Sequence, residues 1–214
     1  VLVDVAGYYA PTGGAVAAGR TLVVGPSRLY DSRSLGEAGR FRPGSARQLT
    51  LDAVPADASA AVLNVTVTDT TGSGFWSVVP PHAPLDSNGA PTTSSINVTR
   101  SAANVASQVI VPIAAAKQIL VYSSGGGHVI VDLFGYVTGP SAPVSTDGLF
   151  VALAAPTRLL DTRGANTPLG AGHRLWPDWI AEVAVAGRGG IPTAGVAAVV
   201  GNLTSVDPHG GGWV

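Results

Sequence analysis

A six-residue motif occurs twice in this chain. Arg28-Leu29-Tyr30-Asp31-Ser32-Arg33 returns as Arg158-Leu159-Leu160-Asp161-Thr162-Arg163, 130 positions later, and each copy follows a proline by two positions, Pro26 and Pro156. Two other stretches recur at nearly the same spacing. Val3-Asp4-Val5-Ala6-Gly7-Tyr8 returns as Val131-Asp132-Leu133-Phe134-Gly135-Tyr136 after 128 residues, and Ala61-Val62-Leu63-Asn64-Val65-Thr66 as Val199-Val200-Gly201-Asn202-Leu203-Thr204 after 138. A shared offset means one domain type in tandem, and a unit near 130 residues is large enough to bury its own core. The repeat assigns residues 1–9 to the closing strand of a preceding unit and 10–137 to a complete unit. Residues 138–148 become a short Pro/Ser-rich linker, and 149–214 the first half of the next unit. The phase of the repeat at both ends, in a chain with no Met, leads us to expect a piece of a longer protein.

Composition narrows the function classes. Charged residues are 12%, the net charge is −1, and Lys117 is the sole lysine. Nucleic-acid affinity comes mainly from neutralising phosphates with Lys and Arg, so no nucleic-acid partner is expected. The longest apolar run, Val109 to Ala116, is too short to span a bilayer and contains Pro112, so no membrane insertion is expected. Zero Cys removes disulfides, thiolate metal sites and a cysteine nucleophile.

The 28 Gly and 16 Pro, among many Val, Ala and Thr, suit short strands joined by tight turns. Ala60 to Asp69 alternates most clearly: Ala61, Leu63, Val65 and Val67 share one face, while Val62, Asn64, Thr66 and Thr68 share the other. Further strands are expected at 1–9, 21–24, 47–51, 75–79, 95–99 and 107–113, with a hairpin formed by 118–122 and 128–137 over a Ser/Gly turn. Ser34 to Gly44 reads as an exposed loop, and one helical turn is expected at most, at 102–106 or 114–117. The fold class is all-β: jelly-roll-like β-sandwich units in tandem, with a β-barrel as the alternative.

The order P-x-R-L-[LY]-D-[ST]-R, A-V-x-x-N-x-T, S-x-x-N, I-V-P-I and H-V-I-V-D-x-x-G-Y resembles a tandem β-domain of secreted and cell-surface proteins of actinobacteria and related bacteria. The resemblance covers essentially the whole chain. It departs at Gly201, where the first copy has Leu63, and at about eight extra residues before Ile191-Pro192. It implies an extracellular place and a non-catalytic role, often beside hydrolases or adhesins.

The candidate site residues fall into two sets. Arg28, Asp31, Arg33 and Asp132, with Arg158, Asp161 and Arg163 in the second copy, are read as structural ion pairs. Asp132 is expected to pair with Arg28 or Arg33, because a carboxylate among apolar strand residues needs a partner. A carboxylate or sugar clamp of two guanidinium forks is the functional alternative. A buried pair would make removal of Asp31 cost about 3–5 kcal/mol. The second set, Phe75, Trp76 and Trp213, lies beside glycine-rich turns and offers a sugar-stacking platform, with core packing as the alternative. Trp176 and Trp179 lie in the insertion.

The remaining polar residues point to no chemistry. His82, His128, His173 and His209 lack metal-ligand spacing and read as surface or turn histidines. Asp86-Ser87-Asn88-Gly89 reads as a turn rather than a calcium loop. The sequons at Asn64, Asn97 and Asn202 read as strand side chains bonding their neighbours. No G-x-S-x-G elbow is present. We therefore expect no metal, no cofactor and no enzyme activity. The expected function is a structural or binding module of a secreted or cell-surface protein, with cell-wall or other polysaccharide as ligand. The alternatives are a structural subunit of a surface filament or sheath, and an accessory domain of a secreted hydrolase. A half-unit also invites strand addition, so a homo-oligomer through incomplete terminal units is expected as well.

Overall fold

The computed structural model describes residues 2–10, 14–113, 116–163 and 179–205. They form strands β1 (Leu2–Ala10), β2 (Thr21–Asp31), β3 (Ser45–Thr50), β4 (Ala58–Thr68), β5 (Gly74–Val79), β6 (Ile96–Val98), β7 (Val105–Pro112), β8 (Gln118–Ser123), β9 (His128–Thr138), β10 (Leu149–Asp161) and β11 (Ala198–Thr204). One 3-10 segment, Ser32–Gly39, follows β2. Two compact units result, residues 16–145 and residues 1–15 with 146–214.

The unit of residues 16–145 is an all-β sandwich of two antiparallel four-stranded sheets, β2-β9-β4-β7 and β3-β8-β5-β6. The pairing has a single logic. The first strand of the unit pairs with the eighth, the second with the seventh, the third with the sixth and the fourth with the fifth. That is one long antiparallel ribbon rolled upon itself, the jelly roll. The expected hairpin of 118–122 with 128–137 does not form, because β8 and β9 lie in different sheets. Their connection is the corner where the chain changes sheet. At that corner Gly127, at φ 133°, exchanges backbone hydrogen bonds with Phe41 at 2.8 and 3.0 Å. A Cβ there would meet Thr70 Cα at 2.9 Å, so a side chain is excluded on both counts.

The alternation of β4 decides the core. Ala61, Leu63, Val65 and Val67 are fully buried between the sheets, and Trp76, Phe41 and Ile119 meet them from the other side. Gly25-Pro26 does not end the strand begun at Thr21. β2 runs on to Asp31 and absorbs the interruption as a register shift between Val23 and Ser27. Residues 138–145 belong to this unit rather than to a linker. Thr138 N–H donates to the Arg20 carbonyl at 2.8 Å, Arg20 Nη2 donates to the Pro143 carbonyl at 2.7 Å, and Ala142 is buried.

Residues 34–44 are only partly an exposed loop. The 3-10 segment opens on Asp31, whose carboxylate accepts from Arg33 N–H, and Phe41 is buried. Arg47 fastens the segment from β3. Its guanidinium donates to the carbonyls of Ala38, Gly39 and Arg40 at 2.9–3.0 Å and lies 4.6 Å from the centre of the Phe41 ring.

In the other unit, β1 lies between β10 and β11. The half-unit of residues 149–214 therefore does have a closing strand, and the same chain supplies it from its N-terminal side. The side chains of β1, and residues 164–178 and 206–214, lie outside the description.

The glycine of the Asp-x-x-Gly-Tyr motif has a steric cause. A Cβ on Gly135 would lie 2.6 Å from the Leu22 carbonyl oxygen on the neighbouring strand, against backbone that cannot step aside. Gly135→Ala is expected to lower the unfolding free energy by about 1–3 kcal/mol. Urea denaturation of the chain measures it, and an unchanged midpoint would show that β2 and β9 are spaced more loosely.

Candidate functional site

The three repeated motifs meet in one place. Arg28 on β2 is the register partner of Asp132 on β9, Asp132 of Asn64 on β4, and Asn64 of Gln108 on β7. One polar row thus crosses all four strands on the face opposite the core. The second copy repeats it in the backbone: Asp4 stands opposite Arg158 and opposite Asn202. Motifs far apart in the chain are therefore adjacent rungs of one ladder.

The charges on this face close upon themselves. Arg28 donates to Asp132 through Nε at 2.8 Å and Nη2 at 3.3 Å, and to Asp31 through Nη1 at 3.3 Å. Arg33 grips Asp31 with Nε at 2.9 Å and Nη2 at 2.7 Å, and its backbone N–H adds a bond at 3.0 Å. Arg163 holds Asp161 in the same way, at 2.9 and 2.9 Å, with Arg158 at 3.5 Å. The Arg33 fork, then its backbone N–H and the Arg28 charge, lowers the Asp31 carboxyl to about 2 against partial desolvation. Asp161 is lowered likewise, chiefly by Arg163. Two guanidinium charges matched by two carboxylates leave no net charge for an anionic ligand. These pairs are also not buried: Arg28 and Arg33 are about half exposed, at 50% and 47%, and Asp31 at 18%. The cost of removing Asp31 therefore falls below that of a buried pair.

His128 is not a surface histidine. It is 5% exposed, and its Nδ1 lies 3.0 Å from Ser32 Oγ, which also accepts from Val129 N–H at 2.8 Å. The contact has the elements of a nucleophile and base, but Ser32 has no exposed surface at all, so its hydroxyl meets no substrate. It ties the 3-10 segment to the start of β9. Asp86 Oδ1 accepts from Asn88 and Ala90 N–H at 2.8 and 2.9 Å, a self-bonded turn. Among the described residues, no group of three or more His, Cys, Asp or Glu could hold a metal ion. His173, His209, Trp176 and Trp213 lie outside the described residues.

The proposed stacking pair separates. Successive residues of a strand point to opposite faces. Trp76 accordingly faces the core, 1% exposed, with its ring 5.1 Å from that of Phe41. It cannot stack on a sugar. Phe75 faces outward, half-buried, against Tyr122 at 5.7 Å. Beside it a shallow hollow of about 210 Å³ is lined by Phe75, Pro91, Thr92, Thr93, Ser94 and Asn97. The loop that forms its wall is fastened to β5: Ser77 Oγ donates to the Thr93 carbonyl, and Val78 N–H donates to Ser95 Oγ at 3.0 Å. The lining has an aromatic ring, hydroxyls and one amide, and no charge. Sequence reading missed the hollow because its wall comes from the Pro/Asn/Gly loop, which has no periodicity. No family model, curated protein or solved structure matches the chain.

The Arg33–Asp31 grip predicts an acid-dependent stability term. The folded-state carboxyl, at about 2, titrates below its ordinary value of 3.8, so the term is present above about pH 4 and lost as pH falls through 2. Asp31→Asn keeps a side chain able to cap the 3-10 segment but removes the charge. It should cost about 1–2 kcal/mol at pH 7, after allowance for solvent screening of the arginines. The wild-type advantage should shrink between pH 4 and pH 2. Equal melting temperatures at pH 7 would show that the grip contributes nothing.

Proposed function

We propose that this chain is a non-catalytic structural and binding module of a secreted or cell-surface protein, and that it takes an uncharged stretch of polysaccharide in the hollow beside Phe75. The observation that carries the reading is the chemistry of that hollow. An aromatic ring with Thr92, Thr93, Ser94 and Asn97 around it pairs apolar contact with uncharged hydrogen-bonding groups, which is what a sugar ring presents in return. Its shallowness suits a chain lying across a surface better than an enclosed small molecule.

Further observations bear on the reading. The recurring arginines and aspartates satisfy one another, so the motif that recurs is a sheet-building feature. The Ser32–His128 contact is closed to solvent on the serine side. The motifs resemble a tandem domain of extracellular bacterial proteins, and that resemblance is the ground for proposing the place. No helix among the described residues is long and apolar enough to cross a membrane.

Binding of the full chain to insoluble cell-wall and plant polysaccharides, and to a glycan array, tests the proposal. Phe75→Ala should weaken retention about tenfold, the loss of roughly one aromatic contact. Phe75→Leu, which keeps apolar packing against Tyr122, separates lost stacking from lost stability. If wild-type chain retains no polysaccharide, or if Phe75→Ala binds as wild type, the hollow is not a sugar site.

A further inference from the structure

Each sheet of residues 16–145 has two edge strands, β2 and β7 in one and β3 and β6 in the other. A bare edge offers unpaired N–H and C=O groups to other chains, and monomeric β proteins blunt it with charges, prolines, bulges, covering loops or very short strands. β2 carries Pro26, Arg28 and two register shifts. β3 carries Arg47, whose guanidinium binds the 3-10 segment. β6 has only three residues. β7 is different. It runs eight residues, Val105–Pro112, in unbroken register with β4 and without a charged side chain, and its one proline is its last residue. Among the described residues, no strand pairs with it on the side away from β4.

The parity of the ladder decides which groups that edge presents. Ile113 N–H donates to the Ser59 carbonyl at 3.0 Å, and the register continues from that pair into β7. Hydrogen-bonded rungs alternate along an antiparallel pair, so Val111, Val109, Ser107 and Val105 bond β4. Ala106, Gln108 and Ile110 turn their N–H and C=O groups away from β4. Their side chains lie on the solvent face and are exposed, Ile110 at 58%. The Gln108 carbonyl accepts a long local bond from Ser107 Oγ at 3.4 Å.

We propose that the edge of β7 is an interaction surface for a second copy of this chain, whose own β7 adds antiparallel across a two-fold axis at Gln108. Two four-stranded sheets then become one of eight strands. Gln108 faces its own counterpart, and Ala106 of each copy faces Ile110 of the other. This register uses all the outward-facing rungs of the strand. Moving the axis one residue towards either end would bring in Pro112, which has no N–H, or Asn104, which lies beyond the strand. The side chains suit the same register. A small residue meets a large one, two carboxamides meet at the axis, and no charge is buried. The polar row of Arg28, Asp132, Asn64 and Gln108 runs on through the axis into the second copy. Because both copies use the same edge, the contact closes and assembly stops at two. The hollow beside Phe75 belongs to the other sheet, so this inference does not depend on polysaccharide binding.

Sedimentation equilibrium of the full chain, from about 1 µM to about 1 mM, tests the proposal. The expected mass rises from one copy to a plateau at two. Gln108→Pro removes an N–H that points away from β4, so it blocks the edge while leaving the β4 ladder in place. It should stay at one copy throughout. Gln108→Lys keeps the N–H but sets like charges opposite each other at the axis, and should weaken association about fivefold or more. It carries the test should the proline variant fail to fold. Cysteines then read the register, since the chain has none of its own. Residues on a hydrogen-bonded rung have Cα atoms about 5.5 Å apart, within disulfide reach. Gln108→Cys should therefore cross-link to itself under mild oxidation. Ala106→Cys should not, because its counterpart lies four residues, about 14 Å, along the added strand. The proposal is overturned by a mass of one copy at every concentration, or by a mass that climbs past two without a plateau. It is equally overturned if both Gln108→Pro and Gln108→Lys associate as wild type, or if Ala106→Cys cross-links as readily as Gln108→Cys.

Discussion

The fork from Arg28 to Asp132 joins the two ends of the rolled ribbon, residues 104 positions apart. A jelly roll makes heavy demands on such a contact. Its first strand must find its eighth, and that closure is among the most non-local in the unit, so its entropy cost comes before most of its reward. A slip of one residue along β9 would turn Val129, Val131 and Leu133 to solvent. A charged pair opposite a polar Asn64 is one feature that such a slip cannot reproduce. Its arginine is half exposed and the pair modest in strength, so we assign it specificity of register rather than bulk stability. Burial of Trp76, Phe41, Leu63 and their neighbours supplies that stability.

This division explains why the sequence repeats where it does. Arg28, Asp132 and Asn64 recur because every copy of the sheet needs them, whatever the copy binds. The loop between β5 and β6 carries none of the repeated motifs, and it builds the hollow beside Phe75. Paired strands thus hold a wall built by a loop. The polar row and the hollow belong to different sheets of the sandwich, so one can vary without disturbing the other.

Much of this fold was legible because period two is a strong signal when one face is buried. β4 shows it without interruption, and the repeats marked which strands are equivalent. The jelly-roll order was less legible, since β8 and β9 look like a hairpin to any local rule. Only the need to fill both sheets sends them apart. Phe75 and Trp76 were read as a pair because they are neighbours in sequence, although strand geometry already required them to diverge. His128 looked like a turn residue because it follows three glycines, and its partner Ser32 lies 96 positions away. Arg47 gave no signal at all, because its role is spent on backbone carbonyls, which carry no sequence mark.

The most direct test of the register account is a double-mutant cycle on Arg28 and Asp132, using Arg28→Ala, Asp132→Ala and the double variant in chemical denaturation. A shared rung predicts strong coupling, about 1 kcal/mol, at the upper end for an exposed pair. It also predicts that the double variant is little worse than either single one. Single-variant losses that add to within about 0.3 kcal/mol would contradict it, because the two residues would then act independently and the recurring motifs would need another explanation.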